Sequence, residues 1–332
     1  MILVTGATGH IGNVLVRLLL ERGEKVRAMV MPGEDPTPLG DLEVEIIEAD
    51  VLDYQSLLSA FEDVQVVYHL AGIISILPGK EPMVQVVNVL GTRNVIQAAQ
   101  SRRVRRLVYT SSIHALQRVP HGTLIDETIP YDPLHAISSY DSSKASASLE
   151  VLNAVQHGMD AVIVCPTGVI GPYDFRRSEM GQLILDCVEQ KPMLYVDGAY
   201  DFVDVRDVAQ GLLLAGEKGR TGESYILSGE RISVLDIIKI VQEILGTRLF
   251  SLKIPLRLAN FTASFTPLYY RLTRIKPRFT SYSLATVTSN SVISHAKARL
   301  ELGYFPRPLR ESLSDTVKWF IKYKALSKKQ PS

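Results

Sequence analysis

Thr5-Gly6-Ala7-Thr8-Gly9-His10-Ile11-Gly12 follows directly on the apolar run Met1-Ile2-Leu3-Val4 and leads into a helical pattern of Ile11, Val14, Leu15 and Leu18. Three small residues between a strand and a helix let the backbone come close to a pyrophosphate. The helix start then offers unpaired N–H groups and the positive end of its dipole. The stretch therefore predicts a dinucleotide cradle built from Gly6, Thr8, Gly9, His10, Ile11 and Gly12. A glycine-rich turn with no ligand is the alternative, and the second strand beginning at Val26 argues against it. Gly23 is placed to end the helix in a left-handed cap.

Working outward, short runs rich in Val, Ile and Leu recur at 2–5, 26–30, 44–48, 64–70, 106–111 and 161–165, with helical periodicity between them. Runs of this kind read as strands buried on both faces, and their alternation with helices predicts a parallel sheet. After Gly171-Pro172 the rhythm loosens, and after Ser228-Gly229 helices, prolines and aromatics (Phe261, Phe265, Tyr269, Tyr270, Phe279, Tyr282) are expected. We expect residues 1–171 plus 199–228 to hold the dinucleotide, and 172–198 plus 229–327 to form a smaller, mostly helical substrate lobe. The Lys/Gln/Pro/Ser tail 328–332 is expected to be disordered.

Of 332 residues, 36 are basic and 35 acidic, and a net charge of +1 gives none of the electrostatic footprint of a nucleic-acid or polybasic membrane binder. Two cysteines, Cys165 and Cys187, cannot form a disulfide framework in a chain of 332 residues, so buried thiols in a reducing, cytoplasmic compartment are expected. The first residues show no basic segment and separate apolar core, so secretion is not expected. The apolar stretch 254–270 is interrupted by Pro255, Arg257 and Pro267, which argues against a membrane span and for a lid or pocket wall. No His or Cys sits at metal-ligand spacing beside His114, His135 or His157, so these read as surface or pocket wall and no metal is expected.

Tyr140 and Lys144 are four apart in Ser139-Tyr140-Asp141-Ser142-Ser143-Lys144 and so project from one helix face. Thr110-Ser111-Ser112 closes the preceding strand, where a parallel sheet places its ligands. Reduction of a carbonyl leaves an alkoxide that needs a proton, and a free phenol, with a pKa near 10, is a poor base for the reverse reaction. The Lys144 ammonium is expected to lower the Tyr140 pKa, and Ser112 to hydrogen-bond the carbonyl oxygen.

These segments together resemble an extended short-chain dehydrogenase/reductase, the NAD-dependent epimerase/dehydratase family. The resemblance runs through 5–12, Asp50-Val51, His69-Leu70-Ala71-Gly72, the Asn88 to Val95 run, Tyr109 to Ser112, the Tyr140/Lys144 pair, Pro166 to Pro172 and Asp201 to Ala209. It implies an α/β fold, a Rossmann-type doubly wound parallel sheet with a smaller, mostly helical substrate-binding lobe. It also implies Ser112, Tyr140 and Lys144 as the catalytic triad. By position, Asp50 and Val51 would contact adenine, and Leu70, Ala71 and Gly72 would line the pyrophosphate and ribose. Pro166, Gly168 and Val169 would approach the nicotinamide, with Asn88 and Thr110, besides Tyr140 and Lys144, also counted in the cofactor site. Asp50 could equally cap the following helix, and 166–172 could be a plain turn.

The cofactor is NAD or NADP. Met31 stands where NADP-using relatives often place Arg, and Glu34 and Asp35 follow a Pro32-Gly33 turn that could aim them at a ribose or at solvent. Charge favours NAD. The stretches 26–30, 109–113 and 297–304 resemble the dihydroflavonol reductase and 3β-hydroxysteroid dehydrogenase branch, which implies hydroxyl/carbonyl interconversion on a mostly apolar small molecule. Cys165 departs from the Arg many relatives carry there, and Tyr200 before Asp201 departs from sugar-nucleotide members. A sugar-nucleotide epimerase or dehydratase with retained cofactor, and a non-catalytic dinucleotide sensor, are the alternatives. Helices at 82–101 and 138–157 correspond to the pair that forms a four-helix interface in relatives, which implies a homodimer.

Overall fold

In the computed structural model, residues 1–74, 81–264 and 281–327 are described. Along them the strands are β1 (Ile2–Thr5), β2 (Val26–Val30), β3 (Glu45–Glu48), β4 (Val66–His69), β5 (Arg106–Thr110), β6 (Ala161–Pro166), β7 (Gly168–Ile170), β8 (Met193–Tyr195), β9 (Ala199–Asp204), β10 (Ser224–Leu227), β11 (Glu230–Ser233) and β12 (Ser251–Lys253). The helices are α1 (His10–Glu21), α2 (Tyr54–Ala60), α3 (Glu81–Gln85), α4 (Gly91–Ser101), α5 (Ser139–Gln156), α6 (Glu179–Val188), α7 (Val205–Lys218), α8 (Val234–Leu245) and α9 (Leu256–Ser264), with Ser281–Val287 and Leu309–Ser327 beyond.

Seven strands form one parallel sheet in the order β10-β6-β5-β4-β1-β2-β3. The chain winds outward from β1 to β3, then returns to lay β4 beside β1 and winds the other way. The reversal opens a crevice at the carboxyl ends of β1 and β4, where such sheets bind ligands. Apolar side chains of α1 and α7 (Val14, Leu19, Val208, Leu212) cover one face. Those of α2, α4 and α5 (Leu57, Val95, Val151) cover the other, so the sheet is doubly wound. Gly23 has φ +76° just past α1, the left-handed cap its position foretold.

Two expectations are corrected. β3 is not buried on both faces: it is the sheet edge, and Glu45, Ile46 and Glu48 are exposed. The region after Gly229 is not only helical, since β11 pairs antiparallel with β9, and β12 pairs parallel with β8. Strands of three and four residues carry too few positions to show alternation. Helix α9 and the helix Ser281–Val287 meet through Ala259, Ala263 and Leu284 against Val196. Phe265, Pro267, Tyr269, Tyr270, Phe279 and the tail 328–332 lie outside the described residues. Among those described, no helix is long and apolar enough to cross a membrane.

Candidate active site

The glycine turn forms as its composition requires. Gly6 has φ +66°, and a Cβ there would stand 2.7 Å from the Ala71 backbone nitrogen. At Gly12 a Cβ would collide with the Gly6 carbonyl, so neither position tolerates a side chain. Helix α1 starts without a side-chain cap, unlike α2, α5, α6, α7 and α8, which Asp53, Ser138, Ser178, Asp204 and Ser233 cap. An uncapped helix start behind a side-chain-free turn fits a dinucleotide pyrophosphate.

The neighbouring loop is held against this turn by a buried chain of hydrogen bonds. Leu70 and Ala71 donate backbone N–H groups to Thr5 Oγ1 at 3.2 and 3.1 Å, and Thr5 Oγ1 meets His69 Nδ1 at 2.8 Å. His69 Nε2 reaches Thr92 Oγ1 at 3.1 Å, and Thr92 donates to the Asn88 carbonyl at 2.6 Å. Because Thr92 donates onward, it accepts from Nε2–H, which leaves Nδ1 to accept from Thr5. Burial, aided by the Lys144 charge, pushes His69 down to about 3, so the ring stays neutral.

Met31, Asp50 and Val51 fall at or just past the carboxyl ends of β2 and β3, while Asn88 sits in the helical run 86–90. Met31 follows β2 and is 55% exposed. Asp50 does not cap α2; its Oδ1 accepts from Leu52 N at 2.9 Å, and Asp53 is the cap. Val51 is buried beneath Gly91, where a Cβ would meet its side chain at 2.8 Å. Asn88 uses its amide on structure: it brackets Ile73, accepting from N at 2.7 Å and donating to O at 3.0 Å, and donates to Ser143 Oγ at 2.9 Å. It thus ties the loop carrying Gly72 to α5. The 166–172 stretch is not a plain turn, because Gly168, Val169 and Ile170 pair with Phe202, Val203 and Asp204.

Ser112, Tyr140 and Lys144 converge where β5 ends against the start of α5, at 6, 8 and 6% exposure. The Ser112 hydroxyl lies on the Tyr140 side of this junction and is the group that holds the phenol down. Lys144 Nζ donates to the Thr110 carbonyl at 2.7 Å and stands 5.1 Å from the centre of the Tyr109 ring. Among the described residues Thr110 Oγ1 is buried without a partner, and an ammonium has three protons to give. The pair therefore has hydrogen-bonding capacity that ribose hydroxyls fit. The expected depression of the phenol is not found. Burial pushes Tyr140 up to about 12, the Asp141 charge adds to the rise, and only Ser112 opposes it. Burial likewise pulls Lys144 down to about 8, and its ammonium is turned to Thr110.

Five further polar residues join the site. Asp141, 1% exposed, accepts from the Tyr282 hydroxyl at 2.8 Å, and Arg118 Nη2 lies 3.5 Å from its other oxygen. His114 Nε2 meets the Tyr200 hydroxyl at 3.0 Å, the rings lying coplanar. Burial holds His114 below its ordinary value, against the pull of the Asp141 carboxylate. Around His114, Arg118 and Tyr200 opens a cavity of about 160 Å³ whose remaining wall includes Ile113, Leu116 and Ile293. His114 is thus a pocket wall residue. From the sequence Asp141 reads only as the acid of a Ser138-x-x-Asp141 helix start, and Asp141 N does accept that role by donating to Ser138 Oγ at 3.0 Å. An acid beside the Tyr of a Tyr/Lys pair was the available signal.

Residues 2–228 match the model of the NAD dependent epimerase/dehydratase family. The chain is 39% identical over 320 residues to the Methylococcus capsulatus protein called sterol demethylase protein B, across 96% of this chain and 97% of that one. It is 33% identical over 321 residues to a Synechocystis protein whose name refers to dihydroflavonol 4-reductase, across 96% and 93%. Among solved structures, that of gox2253 is 35% identical and superposes with a TM-score of 0.84 over 97% of this chain and 98% of its own.

Proposed function

The chain belongs to the NAD dependent epimerase/dehydratase family, and from that premise we propose that it interconverts a hydroxyl and a carbonyl on a mostly apolar small molecule. The observation that carries this reading is the buried meeting of Ser112, Tyr140 and Lys144 beside the glycine turn. Residues 1–171 and 199–228 hold NAD, with the start of α1 at the pyrophosphate and Lys144 and Thr110 toward a ribose. Bound there, the dinucleotide supplies or takes the hydride. The residues 172–198 and 229–327 form the lobe that receives the substrate.

In reduction, the Ser112 hydroxyl donates to the substrate oxygen and fixes its carbon in place. Tyr140 gives that oxygen its proton. A phenol raised to about 12 is fully protonated at neutral pH, which suits it as the acid of a reductase. In the oxidative direction the same phenol must first lose its proton. Lys144, one helical turn along α5, is the group that would favour that loss when it is charged.

The apolar side of the cavity supports an apolar ring substrate. Sterol and dihydroflavonol, the compounds in the names of two relatives, are ring systems of that kind. The test is turnover of a panel of sterol-like ketones, flavonoid ketones, aldehydes and sugar nucleotides, followed by nicotinamide absorbance. Consumption of NADH with an apolar ketone is expected. Isomerisation of a sugar nucleotide without net NADH consumption would replace this reading by an epimerase.

Cys165 and Cys187, both buried and not joined in a disulfide, support a reducing cytoplasmic compartment. The chain is also expected to dimerise. Met83, Val86 and Leu90 on the 81–101 helical run, and Leu149 on α5, are exposed although apolar, and 83, 86 and 90 share one face. Val86→Glu combined with Leu90→Glu is expected to turn a dimer into a monomer in sedimentation velocity, with its helical circular dichroism kept. An unchanged sedimentation coefficient would rule this face out as the interface.

A further inference from the structure

Residues 172–176 cross the start of α1 as a strap. His10 Nε2 meets the Pro172 carbonyl at 3.0 Å, Asn13 Nδ2 donates to the Tyr173 carbonyl at 3.2 Å, and the Arg17 guanidinium sits 4.5 Å from the Tyr173 ring centre. The strap delivers Arg176 to the glycine turn, where its Nη2 donates to Thr8 Oγ1 at 2.8 Å. The same guanidinium is ion-paired with Glu34. Glu34 does not point to solvent: it is folded back over the end of β2, 18% exposed, and its Oε2 accepts from Met31 N at 3.3 Å. Asp35 is spent locally, with one carboxylate oxygen accepting from both the backbone and the hydroxyl of Thr37. A cavity of about 240 Å³ opens beside the pair, lined by Asp35, Thr37, Pro38, Phe175, Arg176 and Tyr323.

We propose that Glu34 and Arg176 together set the preference for NAD over NADP. The ribose that distinguishes the two lies at the end of the second strand in this fold. Glu34 is the acid that accepts from its hydroxyls, and Arg176 is a latent site for its 2′-phosphate, silenced by Glu34. A guanidinium fork matches a carboxylate and a phosphate equally well, so while it is committed to Glu34 and Thr8 it offers a phosphate little net charge. The Glu34 carboxylate would in addition repel a 2′-phosphate. The strap thus places in one pair both the group that rejects the phosphate and the group that would receive it.

This rests on the dinucleotide site proposed above and not on the identity of the substrate. The experiment is titration of NADH and NADPH by nicotinamide fluorescence with wild type, Glu34→Gln, and Glu34→Gln/Arg176→Ala. Wild type is expected to bind NADH the more tightly. Glu34→Gln is expected to move the ratio toward NADPH by about threefold or more, with about tenfold typical for freeing one charge-assisted contact. The double variant is expected to keep the part of the shift that comes from losing the Glu34 charge and to bind NADPH about threefold or more weakly than Glu34→Gln does, because the freed guanidinium is gone. A wild-type preference for NADPH, a shift below about threefold in Glu34→Gln, or NADPH affinity in the double variant equal to that of Glu34→Gln overturns the proposal. A wild-type protein that binds neither nucleotide overturns the dinucleotide site and this inference with it.

Discussion

Tyr140→Phe is expected to lower turnover at least about a hundredfold while NADH affinity stays within a few-fold. The substitution removes one hydroxyl from a ring that is 8% exposed and leaves its packing intact. Ser112 Oγ keeps a partner, because it also accepts from the His114 backbone N–H at 3.2 Å, so the strand end stays in place. What is lost is the acid that protonates the substrate oxygen. The pH dependence follows from the phenol's raised value. Reduction uses the protonated form and does not fall through loss of the phenol proton below about pH 12, whereas oxidation rises as pH climbs toward it. Paired kinetics and fluorescence titration of wild type and variant separate the catalytic reading from that of a sensor, which predicts nucleotide binding without turnover in both proteins. Undiminished turnover would remove Tyr140 from the chemistry.

The parts of this site that the sequence carried are those whose chemistry is local. The turn 5–12 was legible because strand, small residues and helix are contiguous, and the clash a Cβ would meet at Gly6 or Gly12 involves backbone a few residues away or at the next strand end. Tyr140 and Lys144 were legible because one helix fixes their spacing. The pKa environment was not. Burial depends on how α5 seats on β5, and it outweighs the charge–charge help expected from a bare Tyr/Lys spacing. The partners of Asp141 and Glu34 were hidden for a related reason: Tyr282 and Arg176 arrive from distant segments, and no local pattern announces a contact across more than a hundred residues. The edge position of β3 was equally a property of sheet order, since a run such as Glu45-Ile46-Ile47-Glu48 has the same composition at an edge or in the middle.

Lys144→Met is expected to separate activity from stability. Methionine matches the length of lysine and fills the same space without a charge. Turnover should fall at least about a hundredfold, because the ammonium one helical turn from Tyr140 is lost. Stability should respond in the opposite sense. Burial lowers the ammonium from 10.5 to about 8 in the folded chain, while the unfolded chain titrates near 10.5. Between these values the unfolded chain holds the proton and the folded chain does not, so the Lys144 contribution to stability rises with pH through that window. Below about 8 the folded state carries the whole penalty of the buried charge, on the order of 3 kcal/mol. At pH 7 the variant escapes that penalty but leaves the Thr110 carbonyl without its donor, which costs about 1–3 kcal/mol. The discriminating quantity is therefore the difference in melting temperature between wild type and variant, measured without added nucleotide. It should move in favour of wild type from pH 7 to pH 10. Tyr140, whose phenol is raised, acts the other way only above its unfolded value near 10, and it does so in both proteins. Melting temperatures that run parallel across this range would show that Lys144 is not a strained buried cation, and undiminished turnover in the variant would take it out of the proton chemistry.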